Sequence, residues 1–243
     1  MNIKVTLLLV AALLAGSVPT FAHPFKPVYV NAGNTENRNV SDFKGINLSG
    51  SYNYYITQGN ATAVRVEAPS KLLPYIVTEV KNGVLNVYTK NHTNWSDIFN
   101  DEKIAVYITA KDINSIKLSG SGDVFFKEGI TGTDMSITLS GSGDVTGKIS
   151  ATSIECTLTG SGDLRISGRV ENATFKVVGS GDLTASELKA TNANVSVVGS
   201  GDASVNASSS LKAKISGSGD IRYSGSPKNV LKTTSGSGDI TRG

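Results

Sequence analysis

Cysteine is almost missing: the 243-residue chain has one, Cys156, so it can close no disulfide within itself. A nucleophilic cysteine needs a base beside it, and histidine is nearly as scarce, with only His23 and His92. Cys156 alternates with Leu158, which puts both on one face of a strand and predicts a small buried residue. Charge is also sparse, at 18% of residues and a formal net charge of +3, against a usual charged fraction of ~25%. That near-neutral balance excludes a dedicated nucleic-acid surface, which carries a basic excess. With 39% hydrophobic residues, it also excludes a disordered polyelectrolyte. Long apolar runs are lacking. Residues 5–14 form one of ten, too short to span ~30 Å of hydrocarbon. Lys4 precedes this run, and Thr20-Phe21-Ala22 follows as a small-x-small cleavage site. Residues 1–22 are therefore predicted to be a secretory signal. The expected mature chain starts near His23 and has no transmembrane segment. Its expected destination is the periplasm, the outer cell surface or the medium.

Glycine is what the chain has in excess, 26 of 243 residues, or about 11% against a usual ~7%. Much of it lies in a Gly-Ser-Gly-Asp tetrad that occurs seven times, ending at Asp123, Asp144, Asp163, Asp182, Asp202, Asp220 and Asp239. The aspartates are spaced by 21, 19, 19, 20, 18 and 19 residues, a period that signals a repeat architecture. Alternating apolar residues flank every tetrad, as in Ile137-x-Leu139 before one and Val145 after it. Such period-2 patterning around a glycine turn marks short, half-buried strands. About nineteen residues then hold two or three strands of four to six residues, one rung of a solenoid. Stacked rungs, ~4.8 Å apart, pair each strand with its copy above and below. A propeller blade needs about 40 residues. The predicted fold is all-β: a right-handed parallel β-helix with ~19-residue rungs and an irregular N-terminal β cap. Residues 116–243 form its seven units, and residues 23–115 a cap continuous with it.

The N-terminal part contains strand-like segments at 52–57, 63–67, 76–80, 84–89 and 104–109. Asn82-Gly83 predicts a hairpin between two of them. The stretch from Pro69 to Pro74 has room for one helical turn.

In-register rungs would line seven carboxylates along one edge. Neighbouring exposed charges at this spacing repel by about 1 kcal/mol in bulk water. Backbone N–H donors, as in an Asx-type turn, flanking lysines or bound cations could each relieve this. Gly-x-Gly-x-Asp in β-roll repeats binds Ca²⁺. Here each rung supplies one carboxylate while calcium wants six to eight oxygens, so structural turn capping is the favoured role and a weak Ca²⁺ row the alternative. Paired carboxylates such as Asp163 and Asp182 also suit glycoside cleavage, but seven identical acids offer no distinguished pair. A loop around His92, Trp95 and Asp97 carries the only tryptophan. Either it contacts a ligand, as aromatics and amides do on carbohydrate surfaces, or it plugs the solenoid end. Tyr52 and Tyr54, which share a strand face, have the same two readings.

Phe43-Lys44-Gly45-Ile46-Asn47-Leu48-Ser49-Gly50, then Ile56-Thr57-Gln58-Gly59, then Asn82-Gly83-Val84-Leu85, then repeated Ser-Gly-Ser-Gly-Asp, resembles the GIN-domain family. The resemblance covers roughly residues 40–243. It implies an exported bacterial β-helix at the cell envelope, of the kind described as autotransporter-adhesin heads, and brings no catalytic residue. The expected function is a non-enzymatic adhesin or binding module for surface glycans or for host or envelope proteins. The alternatives are a structural envelope protein that assembles into homo-oligomers through its ends or faces, and a polysaccharide-cleaving enzyme.

Overall fold

A computed structural model describes residues 34–90 and 103–243, all within the compact unit Asn31–Gly243. Eight strands form its N-terminal part: β1 (Asn34–Arg38), β2 (Gly45–Gly50), β3 (Asn53–Gln58), β4 (Ala63–Ala68), β5 (Ile76–Lys81), β6 (Val84–Thr89), β7 (Ala105–Ala110) and β8 (Ser115–Gly120). Five long strands follow, β9 (Asp123–Gly141), β10 (Val145–Gly160), β11 (Leu164–Gly179), β12 (Leu183–Gly199) and β13 (Ala203–Gly217). The chain closes with β14 (Ile221–Ser224), β15 (Asn229–Gly236) and β16 (Ile240–Arg242). The one short helix described is a 3₁₀ turn at Leu73–Tyr75, with Pro74 inside its first turn. Among the described residues, no helix is long and apolar enough to cross a membrane. The architecture is a parallel β-solenoid of about seven turns with ~19-residue rungs.

The rungs differ from expectation in one respect. From β9 to β13 each is a single bent strand of 15 to 19 residues, not two or three short ones, because parallel pairing continues through the mid-rung bend; the following rung is split into β14 and β15. The drifting period is absorbed at that bend. The register slips between Gly147 and Ile149 where β10 meets β9, and between Arg165 and Gly168 where β11 meets β12. The tetrad corners stay aligned throughout, Gly141 on Gly160, Gly160 on Gly179 and Gly179 on Gly199.

Inward side chains form columns. One runs Leu85, Ile46, Ile116, Ile137, Cys156, Phe175, Val195, Ala213, with successive partners in register. Cys156 is 1% exposed and stands between Ile137 and Phe175, so it is a core residue. Burial pushes its thiol well above the ordinary value of 9.0. A second column contains Val106, Tyr54, Val124, Val145, Leu164 and Leu183. Every buried side chain among the described residues is aliphatic, aromatic or Cys156, so the core is held mainly by apolar packing, with the Tyr52 and Tyr54 hydroxyls hydrogen-bonded at its edge.

The N-terminal strands extend the same sheet. β2 lies parallel on β8 with Leu48 opposite Leu118 and Gly50 opposite Gly120. β3 lies parallel on the start of β9, which places Asn53 opposite Asp123. Further out, β7 pairs parallel with β3, while β4 and β1 add antiparallel strands. On the other flank, β6 pairs with β2 and forms an antiparallel hairpin with β5. Its turn residues Asn82 (φ 52°) and Gly83 (φ 73°) both have positive φ, the geometry of the two-residue type I′ turn that Asn-Gly favours.

Candidate functional site

The tetrad corner is the most repeated feature on the surface, and its chemistry follows from backbone approach. The first glycine turns the chain at positive φ, for example +132° at Gly141. Its carbonyl then serves two donors of the next rung: Gly141 O accepts from Ser161 N (3.0 Å) and Gly162 N (3.1 Å). The second glycine is needed for space. A Cβ on Gly143 would lie 1.9 Å from Gly122 O, so only glycine permits this stacking.

The aspartate completes the corner in a way the sequence did not specify. Asp123 Oδ1 accepts the backbone N–H of Asp144 (3.1 Å), and the same contact repeats up to Asp220 Oδ1 with Asp239 N (2.8 Å). The acceptor therefore works between rungs and not within its own Asx-type turn: from Asp144 onward each Asp N–H goes to the preceding rung's carboxylate, while that of Asp123 goes to Tyr52 O (3.0 Å). In return, the Asp carbonyl receives an N–H from the preceding rung, as in Val124 N to Asp144 O (2.8 Å). The two contacts clamp adjacent rungs. They also answer the repulsion expected of the row, since each N–H dipole faces a carboxylate. Arg165 adds a cation at one point, bridging Asp144 Oδ2 (3.3 Å) and Asp163 Oδ2 (2.6 Å). Asp182, Asp202, Asp220 and Asp239 repeat the backbone contact or its donor half. Among the described residues, no group of three His, Cys, Asp or Glu side chains could hold a metal ion.

Tyr52 and Tyr54 require correction as ligand-binding candidates. They are 4% and 0% exposed, and their parity points them into the solenoid. The Tyr54 hydroxyl donates to Ser49 O (2.9 Å), and the Tyr52 hydroxyl bonds Thr89. Burial raises the hydroxyl pKa of both. His92, Trp95 and Asp97 lie outside the described residues.

An outward aromatic cluster is formed instead by Tyr107, Tyr55 and Phe125, whose rings stack at 5.0 and 5.4 Å between centroids. Arg65 lies 4.1 Å over the Tyr107 ring, and Lys127 5.4 Å over that of Phe125. The Tyr107 hydroxyl donates to Glu67, which also pairs with Arg65. Burial and this hydrogen bond raise the Tyr107 hydroxyl pKa. The ring faces are taken by one another and by the Arg65 guanidinium, which suits a ladder sealing the outer sheet better than a platform for a sugar. Its only sequence signal was the opposite parity of Tyr55 and Phe125 to their aromatic neighbours.

A parallel solenoid with stacked glycine corners, a largely apolar interior and polar outward rows is a scaffold that presents side chains at regular intervals. Over residues 42–227 the sequence matches the family described as "Putative auto-transporter adhesin, head GIN domain". The chain belongs to this family. Among solved structures, it is similar to a "putative adhesin" from Bacteroides fragilis, with 26% identity and a TM-score of 0.80. That match covers 87% of this chain and 97% of the other. A "putative lipid binding protein" from Parabacteroides distasonis is 28% identical, with a TM-score of 0.70 and coverage of 88% and 98%. A "putative adhesin" from the same species is 26% identical, with a TM-score of 0.71 and coverage of 86% and 96%. No curated protein matches the chain.

Proposed function

We propose that the chain is an exported, non-enzymatic binding head that attaches to glycans or proteins at a cell surface. The observation that carries this reading is the family match across residues 42–227. The structure supports it through the division of labour in each rung. Inward residues and corner atoms are committed to the fold, and the outward columns are left for contact. The Asp row, the most enzyme-like feature of the sequence, is accounted for by the inter-rung hydrogen bonds.

Labelled full-length protein, applied to a glycan array and to intact cells, is expected to bind saturably and to be displaced by unlabelled protein. Absence of saturable binding on both would contradict the proposal. So would polysaccharide cleavage that is abolished by Asp163→Asn or Asp182→Asn while the melting temperature is unchanged.

A further inference from the structure

A shallow gutter crosses the rungs on the flank away from the Asp row, and we infer that it binds an acidic, uronate-bearing polysaccharide laid along the solenoid axis. This inference rests on the binding-head reading and names its site and ligand class. One wall is a register column with one residue per rung: Thr131, Ser150, Arg169, Lys189, Asn206. The floor is the adjacent column Gly132, Ala151, Val170 and Ala190, in which Val170 and Ala190 turn into the core and no side chain rises between the walls. Thr152, Glu171 and Thr191 form the other wall, and the gutter encloses about 550 Å³.

The ligand class follows from the lining. Arg169 and Lys189 are exposed neighbours in register, and among the described residues neither has an ion-pair partner. Two unit charges a rung apart repel by about 1 kcal/mol in bulk water, which an anion placed between them reverses. The hydroxyls of Thr131, Ser150, Thr152 and Thr191 both donate and accept, as sugar hydroxyls require. Glu171 accepts from a sugar hydroxyl, and no aromatic side chain lines the gutter to stack a base, which separates an acidic glycan from a single-stranded nucleic acid. No large apolar side chain lines the gutter, so it offers nothing to an acyl chain or an apolar peptide. The walls repeat at the rung spacing of ~4.8 Å, and an extended glycan presents its sugars at a similar interval.

The test is affinity electrophoresis of the full chain in gels containing polygalacturonate or neutral dextran. Wild type is expected to be retarded by polygalacturonate and not by dextran. Arg169→Gln/Lys189→Gln is expected to weaken the interaction by about tenfold or more. Lys176→Gln/Lys214→Gln removes the same charge from the column on a different strand segment, where Ser196 separates the two lysines, and is expected to leave retardation within about twofold. Circular dichroism and melting temperature check that both pairs stay folded. Equal loss in the two double variants, or none in the gutter pair, overturns the inference. If wild type ignores polygalacturonate yet binds cells saturably, the gutter assignment fails and the binding-head reading stands. If it does neither, both fail.

Discussion

At the scale of single residues, glycine serves two distinct purposes in this chain. Gly143 has a Cβ position 1.9 Å from a neighbouring backbone oxygen, and backbone cannot yield as a side chain can. Gly143→Ala is therefore expected to lower unfolding free energy by about 1–3 kcal/mol, read from urea titration, while Ser142→Ala in the same corner changes it little. Gly147 is different. Its Cβ would lie 1.9 Å from the Phe126 ring, so it is glycine because that ring fills the inward column above it. Gly147→Val alone is expected to destabilise, and Phe126→Ala to restore part of the loss. A double-mutant cycle should show a coupling of about 0.5–3 kcal/mol; additive losses would mean the two do not share the space. The tetrad glycines were legible in the sequence because their motif repeats. Gly147 was not, since its reason lies 21 residues away and depends on register.

At the scale of the strand and rung, each unit touches only its neighbours, as solenoid energetics require. Removing residues 161–179 deletes one corner-to-corner unit and brings β12 onto β10, with Val195 and Val197 facing Cys156 and Leu158. The shortened chain is expected to keep a β-rich circular dichroism spectrum and unfold in one transition at a lower temperature. Loss of the β spectrum would contradict rung-by-rung stacking. Rung existence, corner positions and the Asn82-Gly83 hairpin could all be read from local patterns. The inward placement of Tyr52 and Tyr54 could not. Parity showed that they share a face, but which face is interior depends on β7, brought beside β3 from some fifty residues downstream. The juxtaposition of Arg169 and Lys189 was hidden for a related reason: the period drifts at the mid-rung bend, so spacing alone does not reveal which outward residues meet.

At the scale of the whole molecule, the apolar interior imposes a pH dependence. Burial keeps Cys156 and Tyr54 protonated in the folded chain above their ordinary values of 9.0 and 10.0. The unfolded chain gives up those protons first, so it binds fewer, and stability falls as pH rises beyond about 9. Below that range these groups contribute no change. Urea midpoints should decline between pH 8 and pH 10.5, and Cys156→Val should flatten the earlier part of the decline. The central structural claim is that the Asp row holds successive turns together through the next turn's N–H. Native-state hydrogen exchange of the Asp220 amide tests it most directly, because Asp202 Oδ1 accepts that proton at 2.7 Å. Asp202→Asn keeps an acceptor oxygen and is expected to keep the amide protected. Asp202→Ala removes the acceptor and should speed its exchange markedly, with a stability loss of about 1 kcal/mol. Equal exchange at Asp220 in wild type and both variants would contradict the claim.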